Sequence, residues 1–214
     1  MITIIKGKEP EKWTEYVDTP GVNEYSPIPE LRAALLKDQG NICAYCMRYI
    51  PVTKKDPGEN ETSKIEHIRS REHNKDLSLK YENMVICCPG YINSSAHCDK
   101  SKKSTEISFS PLDPGVQRSI SYGMYDGKIK SSNGFWDDDI NKIICLNNPL
   151  LKQNRGQTLE GVRNALSKTK FRAQDLKQKL DEWSQPDKEG KLRPYCGIVI
   201  WYLEKKLKSL AAQK

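Results

Sequence analysis

The chain has 214 residues, of which 36% are hydrophobic and 29% charged, with a mean hydropathy of -0.73 and a formal net charge of +7. Four Trp and ten Tyr at this length supply one ordinary core, or one core and a small module, which argues against a disordered or fibrous protein. The charge is uneven: residues 1–150 hold 20 basic and 21 acidic side chains and residues 151–214 hold 15 and 7, so a basic tail is placed to meet a polyanion or simply to solvate helix surfaces.

The opening "MITIIKGKEPEKW" lacks the sustained apolar stretch and small-residue cleavage site of a signal peptide, so a cytoplasmic, reducing setting is expected. "SPIPELRAALLKDQGN" places Leu31, Ala34 and Leu35 at helical spacing and stops at Gly40, which predicts a short helix leading directly into "CAYC". "DPGENETS" (56–63) reads as a charged turn and "MVICC" (84–88) as a buried strand. "SISYGMYDGKIKSS" alternates around Asp126-Gly127, a hairpin signal. From Leu159, the positions Val162, Leu166, Thr169, Ala173, Leu176, Leu180 and Trp183 recur at steps of three and four and predict one long amphipathic helix. "YCGIVIWYLEKKLKSL" predicts a final helix, and its nine-residue apolar run is about half of the roughly 20 that a membrane span requires. No internal repeat and no extended low-complexity segment is seen.

The chemistry concentrates in "KIEHIRSREHNKDLSLKYENMVICCPGYINSSAHCDKSKK", residues 64–103, which holds all three histidines and three of the seven cysteines. Cys43-x-x-Cys46 can offer two thiolates to one tetrahedral zinc from a tight turn, and Cys98 with Cys87 or Cys88 can complete the shell. Alternation along a strand sends Cys87 and Cys88 to opposite faces, so one of the two binds. His73 reads as an ordinary surface residue.

These residues resemble the HNH, or ββα-metal, nucleases in their zinc-stabilised form. That pattern runs from CxxC through an acidic residue and His to an Asn five residues before a Cys, then a Cys with a metal ligand after it and a Lys three residues later. Here it falls on Cys43 and Cys46, Glu66-His67, Asn83 before Cys88, and Cys98-Asp99 with Lys102. It selects Cys88 over Cys87 and implies an α+β fold, a ββα core embedded in a mostly helical chain. The implied arrangement is residues 1–40 as a lead-in, 41–105 as the nuclease core and 106–214 as a hairpin with a basic helical region.

The resemblance further implies phosphodiester hydrolysis with structural Zn²⁺ and catalytic Mg²⁺ or Mn²⁺. His67 would be the general base, Asn83 would hold its ring in the productive tautomer, and Glu66 and Asp99 would be the oxygen ligands of the catalytic ion. The chain departs from the pattern with Glu66 for the commoner Asp, Asp99 where His or Asn is usual, and the insertion "PGYINSSA"; His97 is therefore the alternative magnesium ligand. Arg69, Arg71, Lys100 and Lys102, with Arg163, Lys170, Arg172 and Lys177 of the tail, are candidate contacts to nucleic acid or a partner.

A narrower resemblance, carried by "MITIIKGKEP", "CAYC", "KIEHI", "YENMVICC", "HCDKSK", "SPLDP" and "NNPLLKQNR", is to the HNH nuclease subunits of Septu and retron-associated anti-phage defence systems. It implies an ABC- or SMC-like ATPase partner, with a retron reverse transcriptase and its DNA as further company, and DNA or RNA, including tRNA, as substrate. The competing expectation is a non-catalytic zinc adaptor, which needs the cysteines but not Glu66, His67 or Asp99. A thiol oxidoreductase is disfavoured because no strand-then-helix setting of the thioredoxin kind surrounds "CAYC".

Overall fold

The computed structural model describes residues 1–51, 62–92 and 95–212, so most of the expected turn at 56–63 and the centre of the 89–96 insertion lie outside the described residues. Its elements are α1 (Glu11–Val17), α2 (Pro29–Asp38), β1 (Lys64–His67), β2 (Met84–Cys87), β3 (Tyr91–Ile92), β4 (Ser95–Ala96), α3 (Asp99–Lys102), α4 (Pro114–Ser119), β5 (Ile120–Tyr122), β6 (Ile129–Ser131), α5 (Gly134–Asp138), α6 (Pro149–Ser167), α7 (Ala173–Ser184) and α8 (Cys196–Ala211). The fold is mixed α+β, with three separate two-stranded antiparallel sheets among the described residues.

α2 forms as the sequence predicts: Pro29 opens it, and Leu31, Leu35 and Leu36 are buried. Just beyond it Gly40 adopts φ +55, and its carbonyl accepts a hydrogen bond from Leu192 N (2.9 Å), which ties the entry to "CAYC" to the segment before α8. β2 is buried at all four positions and pairs with β1 along one edge. On β2, the Gln39 side chain accepts from Ile86 N (2.6 Å) and donates to Ile86 O (2.8 Å), doing what a further strand would do. The Asp126-Gly127 hairpin is present as β5–β6, with Ser121 opposite Lys130. Gly127 has φ +62, and a Cβ there would lie 2.2 Å from Lys152 O, so the turn can press against α6 only as glycine.

The single long helix expected from Leu159 to Trp183 is corrected: α6 begins ten residues earlier, at Pro149, and the chain breaks at Lys168–Arg172 before α7. Asn148 starts α6, its side chain accepting from Leu150 N. At the break Lys170 and Phe171 take φ of 53° and 54°, Lys170 N bonds Ser167 O and Phe171 N bonds Leu166 O. This is the Schellman pattern of a helix C-terminus, with Phe171 folding back on the core, and it needs a left-handed residue that the sequence supplies as lysine instead of the usual glycine. Thr169 and Ala173 keep the apolar rhythm across the break, which made two helices read as one.

One cluster of buried side chains joins all parts of the chain, from Met1 and Trp13 through Met84–Cys88 to Leu159 and Leu203. The buried face of α8, Ile198, Val199, Tyr202 and Leu203, packs against α7, α6 and β5, and Tyr195 N bonds Met47 O (2.9 Å) beside the cysteines. Arg155 of α6 is 1% exposed and donates from Nε to Gly127 O (2.7 Å) and from Nη2 to Leu146 O (2.8 Å), stapling the hairpin turn to α6.

Candidate functional site

Cys43 and Cys46 lie in a tight knuckle. Cys43 N donates to Arg48 O, Met47 N to Cys43 O, and Met47 takes φ 60 as the chain reverses. Cys88 follows β2, and Cys98 with φ 53 immediately precedes α3. The four Sγ atoms lie within 4.8 Å of one another and are buried, with Cys43–Cys98 at 3.8 Å and Cys46–Cys88 at 3.7 Å. A tetrahedron with zinc–sulfur bonds of about 2.3 Å has edges of about 3.8 Å, so these thiols are spaced to hold a tetrahedral ion such as zinc. Cys87 is buried next to Cys43 but outside the set of four.

Among these thiols, burial and mutual hydrogen bonds pull ionisation in opposite directions. Burial opposes ionisation of Cys43, but hydrogen bonds from the neighbouring thiols outweigh it and hold Cys43 well below the thiol range. Cys46 and Cys98 are pushed well up, by burial first and then by their neighbours. Four thiolates in this space need a positive charge among them.

The acidic side of the site is built on β1 and α3. Glu66, opposite Val85 on β2, is 4% exposed; its Oε1 accepts from Tyr45 OH (3.2 Å) and lies 2.9 Å from Lys102 Nζ. Burial, then the hydrogen bond and charge of Asp99, push Glu66 up to about 8 against the pull of Lys102. Near neutral pH Glu66 therefore keeps its proton, which a hard cation could replace. Glu66 and Asp99 are a pair without a third ligand; among the described residues the cysteines are the only closely set group of three or more. Magnesium commonly takes one or two carboxylates and fills its shell with water or phosphate, so the pair suits it.

His67 ends β1. Its Nε2 lies 2.9 Å from the Ser78 carbonyl, which can only accept, so Nε2 carries the proton and Nδ1 is the free base. The Tyr25 ring meets the imidazole edge-on at 4.7 Å, with the Arg71 guanidinium 4.6 Å above Tyr25. Burial is the main cause that lowers His67 to about 4, so the ring is neutral at ordinary pH.

Several sequence expectations change here. Asn83 does not hold the imidazole: its Oδ1 accepts from Arg69 N (2.8 Å) and its Nδ2 donates to Arg69 O and Leu77 O, so it pins the loops on either side of His67 while the Ser78 carbonyl fixes the tautomer. His97 faces the thiols instead of the carboxyls, with Nδ1 3.2 Å from Cys98 Sγ and 3.9 Å from Cys88 Sγ, which leaves Asp99 beside Glu66. Lys102 is fully buried, donating to His67 O (3.1 Å) as well as pairing with Glu66, and cannot follow a phosphate backbone from the surface.

Of the other candidate contacts, Arg69 pairs with Glu106, and Lys100 lies 5.2 Å over Tyr91. The tail cations do not share one edge. Arg163 on α6 packs over Tyr125, Lys170 and Arg172 lie in the break with Arg172 paired to Asp175, and Lys177 is exposed on α7. Sequence reasoning missed Tyr45, Tyr25 and the Ser78 carbonyl. Tyr45 had a signal, its place inside the cysteine knuckle; a backbone carbonyl has none. In comparisons with known proteins, no family model matches the chain and no curated protein matches its sequence. No described helix is long and apolar enough to cross a membrane.

Proposed function

We propose that this chain is a zinc-stabilised, metal-dependent phosphodiesterase of the ββα-metal (HNH) type. The observation that carries the reading is His67, tautomer-fixed through Ser78 with Nδ1 free, next to the buried Glu66 carboxyl and its partly exposed neighbour Asp99. The paired β1 and β2, followed after the short β3–β4 pair by the one-turn α3, with four closely set cysteines, support it. His67 Nδ1 would take the proton of the attacking water, the Ser78 carbonyl would hold the ring while Asn83 pins the flanking loops, and Lys102 and Tyr45 would keep Glu66 directed at the site. Mg²⁺ or Mn²⁺ held by Glu66 and Asp99 would supply charge neutralisation at the phosphate.

The narrower resemblance supports an anti-phage effector acting with an ABC- or SMC-like ATPase, and with a retron reverse transcriptase in some systems, on DNA by default or on RNA. A non-catalytic zinc adaptor is the second reading, favoured by the Lys102 and Tyr45 contacts that already engage Glu66 Oε1.

One experiment separates them: cleavage of plasmid DNA and total RNA with added magnesium, by the purified chain and by its complex with the ATPase. His67→Ala should lower the rate about 10²- to 10⁴-fold with zinc content and fold unchanged. Equal cleavage by His67→Ala, or none by either preparation, would leave the adaptor reading.

A further inference from the structure

α8 buries one face and turns another towards the β5–β6 hairpin. Between them runs a groove of about 910 Å³. On the helix side, Ile200, Trp201, Lys205 and Lys208 line it at helical spacing; on the hairpin side, Arg118, Ser121, Lys130 and Ser132 line it. Ser121 and Lys130 are cross-strand neighbours. The lining holds four cations against one carboxylate, Glu204.

None of the four groove cations lies within ion-pair distance of a carboxylate among the described residues, so each keeps its charge available to a ligand. Trp201 packs edge-on against Tyr122 (5.8 Å), and the Lys205 ammonium lies 5.2 Å over the Trp201 ring. The groove is also fixed to the cysteine module: a Cβ on Gly197 would lie 2.8 Å from Met47 Sδ, so glycine allows the first turn of α8 to lie against the knuckle.

We infer that this groove binds the phosphodiester backbone of a nucleic-acid strand. Cations and hydroxyls along both walls suit phosphate oxygens, and the aromatic floor suits bases. An acidic protein surface fits less well, because Lys, which supplies three of the four cations, is depleted in protein–protein interfaces. The inference rests on the phosphodiesterase reading for its purpose, holding the strand that the His67 site attacks. Binding itself is measured apart from cleavage.

The test is fluorescence anisotropy without added magnesium, using labelled single-stranded DNA, single-stranded RNA and duplex DNA across a salt series. The variants are Lys205→Gln/Lys208→Gln on the helix wall, Arg118→Gln/Lys130→Gln on the hairpin wall, and Lys37→Gln/Lys188→Gln, both exposed and outside the groove, as a control with the same loss of charge. Each phosphate contact contributes about 0.7 to the logarithmic salt slope of a single strand and about 0.9 for duplex DNA. Either groove variant should lower the single-strand slope by about 1.4 and weaken binding about 25-fold at 0.1 M salt, with the control changed less than about 3-fold. The polymer with the steepest loss identifies the occupant. Equal losses in groove and control variants, or no binding of any polymer by the zinc-loaded protein, would overturn the inference. Groove-dependent binding without cleavage would instead overturn the phosphodiesterase reading alone.

Discussion

Replacing Cys98 with alanine removes one of the four thiols spaced for zinc, and the expected effect follows from the shape of the site. Structural zinc in small modules contributes about 10–16 kcal/mol near neutral pH, so one ligand of four carries about 3–4 kcal/mol, or about 10²- to 10³-fold in zinc affinity. Whole-domain stability is of order 5–15 kcal/mol, so loss of the ion should unfold the region around Cys43, Cys46, Cys88 and Cys98. Cys87→Ala is the matched control: it is equally buried and belongs to the neighbouring strand, but lies outside the set of four, so it should cost about 1 kcal/mol through lost packing and no zinc. Zinc per chain is measured after dialysis against a weak chelator, together with thermal melts. The protein and Cys87→Ala should each retain one zinc, and Cys98→Ala almost none. A Cys98→Ala protein with full zinc and an unchanged melt, or a zinc-free Cys87→Ala, would refute the ligand assignment.

His97→Leu removes the ring nitrogen beside Cys98 Sγ and should weaken zinc binding about 10- to 100-fold in chelator competition; unchanged affinity would assign His97 to packing alone. Arg155→Met leaves the Gly127 and Leu146 carbonyls without their donor and should cost about 3 kcal/mol in denaturant unfolding, whereas a loss under about 1 kcal/mol would show that the staple carries little. Glu66 is raised from 4.5 to about 8 in the folded protein, so its contribution favours the fold at low pH and declines as pH rises through that window, by up to about 5 kcal/mol in the metal-free protein. Magnesium should therefore raise the melting temperature more at pH 8 than at pH 6, and Glu66→Gln should flatten that difference. A magnesium shift independent of pH would refute the carboxyl pair as the cation site.

The zinc-spaced cysteines were legible because a tetrahedral ion restricts the spacing of its ligands: two residues fit between Cys43 and Cys46, and strand alternation allows only one of Cys87 and Cys88. The Asp126-Gly127 hairpin was legible for a similar reason, since the turn needs a positive φ. Lys102 was not. In "DKSKK" it reads as a surface cation, but one turn of α3 sets it three residues after Asp99 and directs it inward onto Glu66. The break between α6 and α7 was hidden because lysine occupies the left-handed position where glycine would have marked a stop. Asn83 was expected to meet the imidazole and meets the backbone of Arg69 and Leu77 instead, since spacing does not say whether an amide meets a ring or a backbone.

Cys98 and Asp99 are consecutive, and the short helix that carries Asp99 and Lys102 begins at the cysteine's own backbone. On the other side of the site, Cys88 directly follows the strand that pairs with Glu66. Gathering the thiols therefore also sets the turn that carries Asp99, one half of the carboxyl pair. Under the proposed function this sets a chronology of maturation: a newly made chain must load zinc before it can assemble a catalytic ion site. Cells short of zinc would then accumulate an inert protein rather than an unregulated one.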